Sequence, residues 1–512
     1  MTHGDELAPT TSVLRDIVER SRTEPDHVAA ADLERELTFA ELIDHASRVG
    51  AGLSERGVAV GDRVALLVPN SVDFVVAALA TLWIGATFVP LAVTDPLPRL
   101  ISIVKDSAPT LIVRSSSNDE VPTSIAGVAT VELEELLVAA PTPLLEDDPQ
   151  RVDYMIYTSG TTGKPKGVRI ADAAFHAAVH STADALGLDG STRTLCVSPF
   201  HFDGSYANLF PTLVSGGTVV MRPRESLLYP RMFFNTVANE RITYSGFTPS
   251  YLRLLLASPQ FSKLGDSTLT MIALGGEAIS MADLRVLWSK VPSMRVFNRY
   301  GPTETTIAVT NIELTPDLIR DGVVPMGQPH PGVTFYLINE RGETIDAANQ
   351  VGELYVGGVQ LMTGYWSDDA LTEGVLRRDV VPNEIVYRTG DLVYRLEDRN
   401  FVYVDRVDRV VKRSGARISL VELNATMSQL DHVTAVACLT FDHDGQLGIV
   451  AFVTLDAQLS PLDLRRAASI VLPANMMPDR IEVVDALPLN RSNALDEVGL
   501  RDIAGLRPFH AR

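Results

Sequence analysis

Through roughly the first four hundred residues, short β-branched runs alternate with stretches of helix length, and no other feature restricts the fold so strongly. RVALLVP (63–69) leads to DFVVAALATLWIG (73–85), then ATFVPL (86–91), LPRLISIVKDSA (97–108) and TLIVRS (110–115). The same alternation returns at 216–222, 242–257 and 270–291. Strands separated by helices must run parallel and be covered on their faces, so the chain is α/β. After about Pro325 the pattern shortens to strands and turns, as in VTFYLINERGE (333–343), GELYVGG (352–358) and FVYVDRVDRVV (401–411), which predicts a β-rich subdomain over about 325–405. From Arg406 to the end, helices at 421–430 and 461–472 alternate with strands at 434–442 and 449–455, a separate small α+β domain. The length of 512 residues predicts three or four globular units.

Composition excludes several classes of function. The formal charge of −20 and a pI near 4.9 leave no broad electrostatic surface for nucleic acid or an anionic membrane, so neither is expected as a partner. The uncharged stretch Phe74–Val93 is long enough to span a bilayer, but Gly85 and Pro90 divide it into a buried helix and a buried strand. Cys196 and Cys438 stand far apart among apolar neighbours, which predicts reduced, buried thiols and fits a cytoplasmic protein. The first thirty residues carry acids throughout and no apolar stretch of signal-peptide length, so no export signal is expected.

The segment Tyr154–Ile170, YMIYTSGTTGKPKGVRI, carries the clearest chemistry. An apolar strand enters a loop containing Thr158, Ser159, Gly160, Thr161, Thr162, Gly163, Lys164 and Lys166. Glycines admit an anion close to the backbone, hydroxyls and amides donate to it, and two lysines add positive charge. Polyphosphate binding is therefore expected, although the loop is not the common G-x-x-x-x-G-K-[ST] pattern.

This loop resembles the phosphate loop of the adenylate-forming superfamily. So do LTFAEL (37–42), LWIGATFVPL (82–91), LGGEA (274–278), NRYGPTET (298–305), GELYVGG (352–358), YRTGDLV (387–393) and the stretch from Arg406 to Glu422. The resemblance implies a large N-terminal domain, residues 1–405, of two helix-covered sheets plus a small β-barrel. A hinge near Asp408 joins it to a mobile C-terminal domain, residues 406–512. It also implies ATP and Mg²⁺, and a carboxylate that attacks the α-phosphate, releases pyrophosphate and leaves an acyl-adenylate. Matching position by position assigns Tyr300 to adenine, Thr303 to the nucleotide phosphate and Glu304 to the magnesium ion. Asp391 is assigned to the ribose hydroxyls and Arg406 to a second ribose or phosphate contact. Gly276, Glu277 and Gly301 belong to the same nucleotide-binding set.

One position departs from the family pattern. The superfamily's C-terminal lysine lies in a motif like P-L-T-x-N-G-K-[VI]-D, whereas residues 487–497 here read LPLNRSNALDE and place Ala494 at the lysine. A methyl group cannot offset charge at the α-phosphorus, and losing one such contact costs on the order of 10²–10³ in rate. Weak adenylation is expected. A deliberate Lys→Ala exchange that traps ligands is the favoured explanation, beside natural loss of activity or use of another lysine.

The acyl pocket follows from the same resemblance. Phe202, Asp203, Gly204 and Ser205 resemble the F-D-x-S element of amino-acid-activating domains, with Phe202 as a gating aromatic. Asp203 can hold an amino group, accept a ring N–H, take a proton from an incoming amine, or be a structural partner of Arg299. The other matched positions are Gly204, Ala207, Gly246, Ala273, Gly275, Arg299, Ile307 and Ala308. Most of them are glycine or alanine, which implies a wide apolar cavity suited to an aryl or heteroaryl acid. Only eighteen residues follow Ala494, so the acyl acceptor is expected to be a separate molecule. The pattern most resembles the amide bond synthetases of the marinacarboline type, which implies an amine acceptor. The alternatives are an enzyme that loads an amino or β-amino acid onto a carrier protein, a CoA ligase, and an impaired protein that binds nucleotide or acyl-adenylate without turnover.

Overall fold

The computed structural model describes residues 12–115, 122–158, 165–319, 323–407, 410–413, 416–443, 446–488 and 495–507. The chain divides into two compact units rather than three or four. One comprises Met1–Val93, Val104–Tyr157 and Gly167–Val407, and the other Thr94–Ile103, Thr158–Lys166 and Asp408–Arg512.

The larger unit holds two eight-stranded sheets. In one, Val28–Ala31, Thr218–Met221, Arg193–Cys196, Tyr244–Phe247, Met271–Gly275 and Arg295–Tyr300 run parallel, with antiparallel edges at Glu36–Thr38 and Thr310–Leu314. The other is centred on the parallel strands Arg63–Leu67, Thr87–Pro90, Leu111–Arg114 and Val152–Thr158. A single apolar core explains why these sheets form one unit. Leu66, Phe88 and Tyr154 of one sheet cluster with Cys196, Val219 and Met221 of the other, around Phe74, Phe175 and Phe210. Two covering helices, Asp172–Leu186 and Tyr206–Val214, pass through this cluster. The opposite face of the first sheet buries Phe233, Leu252 and Leu284 of three further helices.

The apolar stretch at 74–93 divides as its glycine requires. Helix Val72–Trp83 is buried along its whole length, and the strand Thr87–Pro90 follows. Among the described residues no helix is long and apolar enough to cross a membrane. Both cysteines are buried and unpaired.

The β-rich subdomain is an antiparallel five-stranded sheet ordered Val333–Ile338, Gly352–Gly358, Val386–Arg395 and Leu376–Arg377, with Phe401–Arg406 also paired to Val386–Arg395. Its path stays open among the described residues, so the small barrel is a half-barrel. In the smaller unit, Val433–His443 and Gln446–Leu455 form a long antiparallel pair flanked by Arg480–Val483. One face packs Leu423, Met427, Leu464 and Ala468, and the other packs Phe441, Phe452 and Leu500. Ser419 and Ser460 cap the helices Leu420–Met427 and Pro461–Ser469, each accepting a backbone N–H at the third helical position.

Candidate active site

In a parallel sheet the side chains beyond the carboxyl ends of the strands gather at one edge, which is where ligands bind in α/β folds. Several residues of the larger unit singled out by sequence fall there. Asp203 follows Arg193–Cys196, Gly276 and Glu277 follow Met271–Gly275, and Tyr300 ends Arg295–Tyr300. Thr158 ends Val152–Thr158 and Lys166 opens Lys166–Ala171, and both group with the smaller unit. Ser159, Gly160, Thr161, Thr162, Gly163 and Lys164 lie outside the described residues, as do Asp408 and Ala494.

Tyr300, Asp391 and Arg406 form a buried chain of hydrogen bonds. The Tyr300 hydroxyl donates to one Asp391 oxygen at 2.5 Å, and the Arg406 guanidinium donates to the other at 2.5 Å. The two charged side chains retain 6% and 1% exposure, so the charges neutralise each other where water does not. Strand pairing sets this geometry, because Asp391 and Arg406 are register partners of adjacent antiparallel strands. Arg406 also donates to the Thr389 carbonyl at 3.1 Å. Burial, and then the neighbouring Asp391 charge, push the Tyr300 phenol far above its ordinary range. Each Asp391 oxygen already accepts one donor and keeps a second lone pair for a hydroxyl.

The turn Thr303–Thr305 brings the other candidates together. Glu304 is fully buried, and its Oε1 accepts the Tyr365 hydroxyl at 2.8 Å. Asp203 lies near both Thr303 and Glu304. Burial raises the Asp203 carboxyl to about 6, while the Thr303 hydroxyl and the backbone N–H groups of Ile307 and Gly204 oppose the rise. Glu304 adds repulsion. The Oδ2 atom of Asp203 is buried and has no hydrogen-bond partner among the described residues. Asp203 is not paired with Arg299, whose guanidinium donates to the Tyr244 hydroxyl at 2.5 Å and to Asn311 at 3.2 Å.

That arginine belongs to a polar network that sequence reasoning missed. Asn208 donates to the Gly246 carbonyl at 3.0 Å and accepts the Tyr244 hydroxyl at 2.8 Å. Beyond Arg299, Asn311 meets His330 at 2.9 Å, and His330 meets Gln360 at 3.1 Å. Gln360 then donates to the carbonyls of Ala308 and Thr306 at 2.7 and 3.2 Å. Since the Gln360 Oε1 can only accept, His330 is the neutral Nδ1–H tautomer, in keeping with burial that lowers it to about 4. The network ends on a strained loop. Thr306 and Ile307 have φ of +59° and +66°, conformations that β-branched residues adopt only where neighbours enforce them. Gln360, a lone amide between apolar residues in GGVQLM, was the visible signal.

The remaining acyl positions are largely packed. Ala207, Ile307 and Ala308 lie in the core between the sheets, and Ala273 packs with Tyr244 and Phe297. A Cβ on Gly246 would lie 2.1 Å from Asn208 Oδ1, so close approach of the network explains that glycine. Beside Gly275, a Cβ would meet the Arg299 carbonyl at 3.0 Å. Gly301 is similarly tight against Ala308, whereas Gly204 faces open space. Phe202 is half-buried against His201, with ring centroids 4.3 Å apart. Gly276 takes φ +82°, and Glu277 turns back to accept the backbone N–H and hydroxyl of Ser250 at 2.9 and 3.1 Å. Glu277 thereby takes up a first-turn N–H of the helix Pro249–Leu256, which Thr248 caps.

Comparison with known proteins adds family context. The profile of the AMP-binding enzyme family matches residues 17–366. Tyrocidine synthase 1 of Brevibacillus parabrevis is 30% identical over 489 residues, which is 94% of this chain and 44% of that protein. The chain thus spans less than half of that synthase. The D-alanine–D-alanyl carrier protein ligase of Bacillus licheniformis is 27% identical over 506 residues, covering 96% of this chain and 99% of the ligase. Among solved structures, the amide bond synthetase McbA of Marinactinospora thermotolerans superposes with a TM-score of 0.86, covering 96% and 99% of the two chains, at 23% identity. At that identity the likeness is one of fold.

Proposed function

The chain belongs to the AMP-binding enzyme family, the ATP-dependent ligases that form acyl-adenylates, and from that premise we propose that it joins an aryl or heteroaryl acid to an amine. In the first step a carboxylate oxygen attacks the α-phosphorus of ATP, and pyrophosphate leaves. In the second the amine nitrogen attacks the acyl carbon, AMP leaves and one N–H proton must be removed. The observation that carries this reading is Asp203. The residue is half-buried, its Oδ2 is fully buried and has no donor among the described residues, and burial raises the carboxyl to about 6. Near neutral pH such a group is ionised and more basic than an ordinary aspartate, so it can accept the proton the amine must lose.

Tyr300, Asp391 and Arg406 would bind the nucleoside, and the Thr303 hydroxyl would meet its phosphates. Glu304 fits magnesium, since its carboxylate is a hard oxygen donor oriented by Tyr365. The ion would supply charge neutralisation on the phosphates. Ala494 in place of the family lysine would leave the first step slow.

A second reading, loading of a carrier protein, is favoured by the full-length relationship to the D-alanyl carrier protein ligase. One experiment separates the two. Ala494→Lys protein is incubated with ATP, magnesium, a panel of aryl and amino acids and a simple amine, without CoA or carrier, and the products are read by mass spectrometry. Amide is the expected product. Acyl-adenylate or AMP without amide overturns the amine reading in favour of a carrier thiol, and pyrophosphate at background overturns both.

A further inference from the structure

We propose that Asp16, His176 and His180 form a binding site for one divalent transition-metal ion of the zinc type, outside the adenylating site. His176 and His180 sit four residues apart on the helix Asp172–Leu186, so both project from one face. The helix Val13–Thr23 brings Asp16 against them. Both imidazole Nε2 atoms point at the same carboxylate oxygen, Asp16 Oδ2, from 3.2 and 2.8 Å. The rings lie 4.3 Å apart at 39°, and the three donor atoms all fall within 4.8 Å of one another.

The two nitrogen–oxygen separations suit a coordination shell. Ligands held about 2.0–2.1 Å from zinc stand roughly 2.8–3.0 Å apart along the edges of an octahedron and roughly 3.3–3.4 Å along those of a tetrahedron, and the two nitrogen–oxygen edges of 2.8 and 3.2 Å fall within the span of the two. One protonated imidazole suffices to neutralise an aspartate. A second directed at the same oxygen adds little as an ion pair but completes a chelate. Two imidazoles with one carboxylate suit zinc and its neighbours, whereas magnesium and calcium prefer oxygen donors throughout. The side chains keep 18%, 39% and 24% exposure for His176, His180 and Asp16, which leaves room for water to complete the shell. The chain's charge of −20 further favours a cation. Bound there, the ion would tie the helix Val13–Thr23 to the helix Asp172–Leu186.

The test uses the full chain, stripped with a chelator and dialysed against zinc chloride alone, with bound metal measured by mass spectrometry and thermal unfolding followed in parallel. The expected result is one zinc per chain at about 100 μM free zinc, a level that saturates a three-ligand chelate, with a raised Tm. His176→Ala and His180→Ala should each weaken binding at least roughly tenfold, and together they should abolish the zinc-dependent rise in Tm. Asp16→Asn, which keeps an oxygen acceptor but removes the charge, should weaken binding without altering the helices. Absence of stoichiometric zinc in the parent overturns the proposal. So does uptake that is unchanged in the double histidine variant or in Asp16→Asn.

Discussion

Replacing Asp203 by asparagine should make the protein more stable and the enzyme nearly inactive. The carboxyl is raised from 3.8 to about 6 mainly because burial disfavours its charge. A folded-state value above the unfolded one means that stability from this group is complete below about pH 3.8. It is lost progressively as pH rises through about 6. Above that, the ionised form costs up to about 3 kcal/mol, the free-energy equivalent of the rise. Asparagine keeps the shape and an acceptor but carries no charge. The larger unit has roughly 390 residues and so an unfolding entropy of about 0.8 kcal/mol/K, which converts this ceiling to about 4 °C. Thermal melts of parent and Asp203→Asn from pH 4.5 to 8 should lie about 1 °C apart at the acidic end and separate by up to about 4 °C at the alkaline end. Amide formation by the same variant in the Ala494→Lys background should fall by roughly 10²–10⁴, the usual contribution of a general base. A constant offset between the two melting curves at every pH would refute the buried carboxyl. Retained amide formation would refute its role as base.

Two further predictions follow from buried polar groups. Asp153 and Asp172 are 6% and 5% exposed and share a hydrogen bond; burial raises Asp172 to about 6, and burial followed by the Asp172 charge raises Asp153 well above its ordinary value. Stability from this pair is therefore lost as pH rises through about 6, and Asp153→Asn, which donates to Asp172 without a titrating proton, should flatten the pH dependence of Tm. Gln360→Leu should destabilise the larger unit by roughly 1–3 kcal/mol for each orphaned group among His330 Nδ1–H and the Ala308 carbonyl. Urea unfolding measures the loss, and a larger drop in turnover than in stability would show that the amide also positions the loop carrying Thr303 and Glu304.

Periodicity made the sheets legible because each parallel strand is apolar on both faces, as in the fully buried Thr87–Pro90. It did not show that two sheets share one core. That depends on how Phe74, Phe175 and Tyr206 interlock, which no one-dimensional pattern records. Motifs singled out Tyr300, Glu304 and Asp391 but gave no account of what holds them. Tyr365 lies sixty-one residues from Glu304, and Arg406 reaches Asp391 only because the register of two strands makes them partners. The glycines show the same limit from the other side. A glycine lining a cavity and one making room for a neighbour are written with the same letter. Gly246 belongs to the second kind, since its missing Cβ is the space Asn208 needs to reach Tyr244. The width of the proposed acyl pocket is therefore not set by the number of small residues in its motif. It depends on which of them face the substrate and which face the network from Asn208 to Gln360, and that network also holds Thr306 and Ile307 at positive φ beside Asp203.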